Sequence, residues 1–245
     1  MTQPLLSIII PAYNEEKRLP HTLEKVCQFV QQQNYQAEII VVENGSSDRT
    51  FEVAQAFAQN CALYRAIHLD TRGKGLAVRE GMLAARGDYR FMCDADLSMP
   101  IAEVNRFLPP VLTDFDIAIA SREAPGSIRY NEPPYRHWGG RGINLLIRLL
   151  ALPGLHDTQC GFKMLRANIT EDIFGCLRIP NWSFDIEMLY IARMRDYRIL
   201  EIPIPWYFNS ETKLDPLHDA LNMLFDILTI RRNARQGLYD PQPAT

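Results

Sequence analysis

In the first half of the chain, short continuous apolar runs alternate with stretches whose apolar positions recur every three or four residues. Residues 5–10 (LLSIII) form a β-branched run that stops at Pro11, as expected of a strand buried on both faces. Residues 15–33 then set Leu19, Leu23, Val26, Phe29 and Val30 at helical spacing. Residues 39–42 (IIVV) predict a second buried strand, and Asp48 is placed to cap the helix carrying Phe51, Val53, Ala54 and Phe57. Further strands are predicted at 63–69, 89–93 and 115–120, with helices at 74–85 and 101–112. This alternation with short connections predicts an α/β fold, a doubly wound, mostly parallel sheet of the Rossmann-like kind.

The second half is less regular. Residues 126–134 read as a polar loop, 138–152 as an apolar and basic helix, 161–165 as a short strand and 184–195 as a helix. Pro203 and Pro205 demote 199–208 to an edge or irregular strand. Residues 217–232 close the chain as an amphipathic helix ending in Arg231 and Arg232. With no internal repeat and no low-complexity linker, residues 1–245 are expected to form a single domain with a helical C-terminal part.

Composition narrows the classes of partner. Hydrophobic residues make up 47% and charged residues 22%, ordinary globular values, and a net charge of -3 supplies no global attraction to nucleic acid. Affinity for an anion must therefore be local. The five cysteines are scattered and form no CxxC pair, which argues against zinc and disulfide frameworks and fits a reducing cytoplasm. Residues 5–10 are too short for a secretory core, and no apolar run approaches the roughly 18 residues of a spanning helix. A soluble or peripheral protein is the expectation.

Each predicted strand of the first half ends in polar residues, at the edge where open α/β sheets bind ligands. The first gives Pro11, Tyr13, Asn14 and Glu15; the second gives Glu43, Asn44, Gly45 and Ser46. Residues 71–75 (TRGKG) combine glycines with Arg72 and Lys74, a natural phosphate contact. Asp94 and Asp96 then follow the fourth strand. Two carboxylates there can converge on one divalent ion that bridges the phosphates of a nucleotide; read singly, the pair is a turn or a helix cap. Asp157, Asp185 and Glu187 are the candidate bases for a hydroxyl acceptor. Asp185 and Glu187 stand at i and i+2 of a helix start, so they cannot share a helical face. Cys160 reads as a packed thiol, and His137 and His156 as loop histidines.

These motifs carry a resemblance to a known family: PAYNEE (11–16), VVENGSSDRT (41–50), RGKGLAVREGM (72–82), DADLS (94–98), SR (121–122), DTQCGFKML (157–165), NWSFDIEMLYIA (181–192) and ETKL (211–214). In this order and over nearly the whole chain, the sequence resembles the inverting family-2 glycosyltransferases of the GT-A fold. The branch of dolichyl-phosphate β-glucosyltransferases and polyprenyl-phosphate sugar transferases is the nearest match. The resemblance implies a donor site of Pro11, Tyr13, Glu15, Glu43, Lys74, Asp94, Ala95 and Lys213. It implies a Mg²⁺ or Mn²⁺ ion on Asp94 and Asp96, with Ser98 as a third contact, and catalytic roles for Asp96, Arg122 and Asp185. Arg136 and Arg141 would receive an anionic acceptor. Residues 1–122 would be the nucleotide-sugar half and 123–245 the acceptor half with amphipathic helices. One departure stands out: the family pattern has two Asp where this chain has Glu43 and Asn44.

The activity implied is transfer of a hexose, foremost glucose from UDP-glucose, to a polyprenyl or dolichyl-type phosphate. GDP-mannose as donor, a sugar hydroxyl as acceptor and a non-catalytic nucleotide-sugar-binding protein are the alternatives. A lipid-linked acceptor would bring the chain to a membrane surface, peripheral at its inner face, through 138–152 and 217–232; the other reading of both segments is ordinary core-packing helices.

Overall fold

The computed structural model describes residues 3–209 and 216–241. Strand β1 (Leu6–Ala12) lies at the centre, paired in parallel with β2 (Ala37–Asn44) on one side and β4 (Tyr89–Met92) on the other. Beyond β2 comes β3 (Tyr64–Leu69), also parallel. The seven-stranded order is β3-β2-β1-β4-β7-β5-β8, with β5 (Ile117–Ser121), β7 (Lys163–Arg166) and β8 (Ile199–Pro203). Strand β7 runs antiparallel to both β4 and β5, the one reversal in a parallel sheet.

Period-two alternation explains why the apolar runs are continuous. Ile8, Ile10, Ile39 and Val41 point into one core beneath helices α1 (Leu19–Gln31) and α2 (Thr50–Asn60) and a short 3-10 helix, Ile101–Phe107. Their neighbours Ile9, Ile40 and Val42 point into the opposite core, under α3 (Lys74–Ala84), α5 (Ala167–Cys176) and α6 (Phe184–Met194). All seven side chains are essentially inaccessible, each burial contributing about 1.5–3 kcal/mol. Helix α3 lies close against the sheet at Gly81, where a Cβ would stand 2.4 Å from Ile9 Cγ2.

The elements of the first half follow the sequence reading, with differences of local cause. Helix α1 begins at Leu19 because Glu15 accepts the N–H groups of Arg18 and Leu19 in a turn. The helix expected over 101–112 is the 3-10 segment, which stops before Pro109 and Pro110. The loop at 126–134 contains β6 (Ile128–Tyr130), which pairs with β9 (Pro205–Tyr207) in a separate ribbon where Tyr130 and Tyr207 stack at 4.6 Å. Helix α4 (Pro134–Leu150) starts earlier than expected, with Pro134 in its first turn. Helix α5 was not anticipated: Ile169, Thr170 and Ile173 are poor helix formers, and burial of Ile169, Ile173 and Phe174 holds it. Helix α7 (Pro216–Arg235) packs on α4 and α6.

Glu187 of α6 ties this C-terminal part down. It is fully buried, and it accepts the N–H groups of Arg178 at 2.9 Å and Ile179 at 2.7 Å and the Tyr239 hydroxyl at 2.5 Å. The Tyr239 oxygen in turn accepts from Asn233 Nδ2 at 3.1 Å. Burial pushes the Glu187 carboxyl up, against the pull of Tyr239 and the two amides. Glu187 therefore has a structural task rather than the base role considered for it. Glu187→Ala would strand these buried donors and is expected to lower stability by about 3 kcal/mol, read from urea unfolding midpoints, with Glu187→Gln less damaging.

Candidate active site

Parallel pairing of β1, β2, β3 and β4 brings their carboxyl ends to one edge, and the loops there are locked together by side chains. Asn14, in the left-handed region at φ 53°, donates its N–H to Ser46 Oγ at 3.0 Å and accepts from Ser47 N at 2.9 Å. Glu15 N donates to Thr50 Oγ1 at 2.7 Å and Glu16 N to Asp48 Oδ2 at 3.2 Å. Asp48 also accepts Thr50 N at 3.0 Å, but the helix is capped at Arg49, one residue later than expected, so this bond closes a turn ahead of the helix rather than capping it. The Arg72 guanidinium lies 4.4 Å from the Tyr13 ring centre, a cation–π contact across the mouth of this edge. Glu43 is buried; its oxygens accept from Ser46 N and meet His68 Nδ1 at 2.5 Å.

Next to this lie the two aspartates. Asp94 Oδ1 is 2.7 Å from Lys74 Nζ, which also sits 4.5 Å over the Trp182 ring. Burial works against the Lys74 charge, but Asp94, Asp185 and Asp96 together hold its pKa above the ordinary value. Asp96 Oδ1 accepts Ser98 N at 3.0 Å, so Ser98 serves the pair through its backbone. Burial and then Asp94 push the Asp96 carboxyl up, as crowded negative charge does. Thr22 Oγ1 donates to the carbonyl of buried Ala95 at 2.5 Å, which pins the peptide between them. Among the described residues no group of three or more His, Cys, Asp or Glu could hold a metal. Two adjacent carboxylates with excess negative charge nevertheless fit a hard divalent cation that takes its remaining ligands from water and phosphate.

Asp185, near the start of α6, joins the same cluster. Its carboxylate accepts from Lys163 Nζ at 2.7 Å, and that ammonium, itself fully buried, also donates to the Cys160 carbonyl at 2.5 Å. Burial pushes Asp185 up, against Lys163 and Lys74. Arg122, just past β5, grips Asp157 with Nε at 2.6 Å and a terminal nitrogen at 2.8 Å, and lies 5.4 Å from the Trp206 ring centre. Burial alone would raise Asp157, but Arg122 outweighs it and holds the carboxyl below its ordinary value. Asp157 thus orients Arg122 and is unsuited to act as a base.

The expected site residues divide accordingly. Pro11, Tyr13, Glu15, Glu43, Lys74, Asp94, Ala95 and Asp96 share the sheet edge, and Asp185 is electrostatically coupled to them through Lys74. Arg141 is drawn to Glu123, at 3.6 Å, and Glu123 also binds Arg129 at 2.5 Å. Lys213 and the side chains of Arg136 and His137 lie outside the described residues. His156 pairs with Glu201, and Cys160 is buried, its thiol pushed up to about 11 by that burial. The reading of the residues missed His68, Trp182, Lys163 and Trp206. All four take part through contacts between segments distant in sequence, for which no local pattern gives a signal.

Comparison with known proteins places this geometry. The family model described as glycosyl transferase family 2 matches residues 7–174. A dolichyl-phosphate beta-glucosyltransferase of Mus musculus is 34% identical over 96% of this chain and 77% of its own length. That of Dictyostelium discoideum is 32% identical over 96% and 76%. Among solved structures, glucosyl-3-phosphoglycerate synthase from Mycobacterium tuberculosis, in complex with Mn²⁺, UDP-glucose and phosphoglyceric acid, superposes with a TM-score of 0.69 at 17% identity. The match covers 93% of this chain and 79% of that one. The GT-A fold expected from the sequence is thereby borne out.

Gly161 supplies a direct test of the aspartate pair, because a Cβ there would sit 1.7 Å from Asp94 Oδ2. Gly161→Ala is expected to displace the Asp94 carboxylate and weaken Mn²⁺ binding about ten-fold or more, measured by electron paramagnetic resonance titration with UDP present. Its circular dichroism spectrum should match that of the parent.

Proposed function

The chain belongs to glycosyl transferase family 2, and from that premise we propose that it transfers glucose from UDP-glucose to a dolichyl-type polyprenyl phosphate, with inversion. The observation that carries this reading is the near-full-length similarity, at 30–34% identity, to enzymes named dolichyl-phosphate beta-glucosyltransferase. In this reading residues 1–122 hold the donor: Tyr13 and Glu15 with Glu43 receive the base and ribose, and Lys74, Arg122 and Lys213 receive the diphosphate. Residues 123–245 receive the acceptor, through Arg136 and Arg141.

Asp94 and Asp96 would hold Mg²⁺ or Mn²⁺, which when bound supplies positive charge against the diphosphate leaving group. An oxygen of the acceptor phosphate attacks the anomeric carbon as its bond to the diphosphate oxygen breaks, and UDP departs with the electron pair. A phosphate monoester has a second pKa of about 6, so this nucleophile is largely ionised near neutrality and requires cationic positioning more than a base. Lys74 and Arg122 are both held as cations by carboxylates, ready to stabilise charge that builds on the leaving oxygens. Asp185, after Asp94, helps hold Lys74 charged, and it accepts a hydrogen bond from Lys163.

A lipid-bound acceptor and a water-soluble donor meet at a membrane surface, and we take the chain to work peripherally, at the inner face. Leu145 and Leu149 of α4 are 54% and 74% exposed, and Leu221, Phe225 and Leu228 of α7 are 55–65% exposed. Their i, i+4 and i, i+4, i+7 spacings give each helix an outward apolar stripe. Ile147, Met223, Ile227 and Ile230 meanwhile point into the core, so each helix packs on one face and presents an apolar stripe on the other. None of the described helices is long and apolar enough to cross a membrane.

With labelled UDP-glucose, Mn²⁺ or Mg²⁺ and a polyprenyl phosphate, label is expected to enter the organic phase, falling at least about a hundred-fold in Asp96→Ala. Label from GDP-mannose in place of UDP-glucose would overturn the donor; no lipid label from either would overturn the reaction. Separately, the double change Leu149→Glu and Phe225→Glu should cut co-sedimentation with phospholipid vesicles roughly ten-fold, since two apolar side chains leave the interface.

A further inference from the structure

The departure of this chain from its family pattern at Glu43 has a structural counterpart on the neighbouring strand. Glu43 and His68 are register partners of the parallel pair β2 and β3, so their side chains rise on the same face at the ligand edge of the sheet. Glu43 Oε2 lies 2.5 Å from His68 Nδ1, while Oε1 accepts Ser46 N–H. The imidazole is held on its other sides as well. Asp70 Oδ1 is 3.3 Å from Nε2, and the Phe51 ring packs against the imidazole at 4.9 Å. With the Glu43 hydrogen bond foremost, and despite desolvation, the His68 pKa is raised, so the ring donates from both nitrogens more readily. His68 is 43% exposed, whereas the Glu43 side chain is nearly covered. A cavity of about 290 Å³ opens beside the ring, bounded by Asp70, Thr71 and Glu80.

A glutamate carries one more rotatable bond than an aspartate and would lose more conformational freedom on being fixed. Here His68 and the Ser46 amide fix it. A carboxylate has about four lone-pair positions, and two are engaged, so acceptor capacity remains for a ligand N–H. We infer that His68 is a positioning residue for donor recognition, holding the Glu43 carboxylate so that it accepts an N–H from the edge of a nucleobase. This rests on the donor reading proposed above. The chemistry selects bases that present a ring N–H, as uracil does at N3, and rejects cytosine, which presents an acceptor there; a site built for a hydrogen bond discriminates strongly when the partner is wrong.

The test is calorimetric titration of the full chain with UDP and with CDP in the presence of Mn²⁺, which requires no transfer. His68→Ala is expected to bind UDP roughly ten-fold more weakly and to lose much of its preference for UDP over CDP, as a charge-assisted hydrogen bond is removed. His68→Asn, which keeps an N–H donor close to the Nδ1 position, should recover most of both. In turnover, the change should fall on KM for UDP-glucose more than on kcat. His68→Ala binding UDP within two-fold of the parent, with the UDP preference intact, would overturn the inference. Parent protein that binds no UDP would overturn it together with the donor reading. Normal UDP binding and the expected His68 effects, without lipid transfer, would leave the inference standing and remove the proposed reaction.

Discussion

Charge balance around Lys74 is the constraint on which the candidate site depends. One ammonium group faces Asp94 directly and feels Asp185 and Asp96, while a second, Lys163, is sealed beneath them against Asp185. Three carboxylates gathered this closely repel one another, and burial makes that repulsion costly. Lysine at both positions offsets that repulsion. The remaining negative charge, concentrated on the Asp94–Asp96 side, is what a divalent cation and a diphosphate together would complete. Arg122 with Asp157 repeats the device on the far side of β5: a buried carboxylate holds a cation in place with two directional hydrogen bonds, so its orientation is set before any anion arrives.

Backbone architecture makes this balance achievable. The central strands of this carboxyl edge are buried on both faces, and the continuous runs at 5–10 and 39–42 allow that by dividing their side chains between two cores. For this reason the first half of the fold was legible: period, length and terminating residues all pointed the same way. The second half was less so, because its elements are settled by partners. Nothing local to ANITEDIFGC separates a helix from a turn, and nothing in the four residues of β7 shows that it runs antiparallel to both β4 and β5. The ribbon of β6 and β9 joins segments more than seventy residues apart, and it is tied to the aspartate loop by Tyr207 N–H donating to the Ser98 carbonyl at 2.7 Å.

At the site, the sequence revealed which residue types were available and the fold decided what each does. Asp94, Asp96 and Lys74 could be read from motif and position. Asp157, Asp185 and Glu187 could not be told apart, since each is an acidic residue in a motif of similar character. Burial and partner separate them. Asp157 is matched to a guanidinium, Asp185 to a buried ammonium next to the metal-fitting pair, and Glu187 to two amides and a tyrosine. Glu43 is the subtlest case. Its substitution for aspartate was visible, but the histidine that makes use of its extra length stands on another strand.

Helix α6 links the candidate site to the C-terminal helix. Asp185 and Glu187 stand two positions apart, and a helix of 3.6 residues per turn sends such side chains in widely different directions. One faces Lys163 and the aspartate cluster, and the other reaches Tyr239 beyond the end of α7. The element that sets the carboxylate at the site therefore also anchors the helix whose outward stripe of Leu221, Phe225 and Leu228 is exposed. Both ends of this linkage are buried and hydrogen-bonded, so α6 relates the two surfaces rigidly. For the acceptor proposed above, whose phosphate would enter the site while its apolar chain stayed outside, a fixed offset between the two surfaces is what a short helix buried along most of its first two turns would supply.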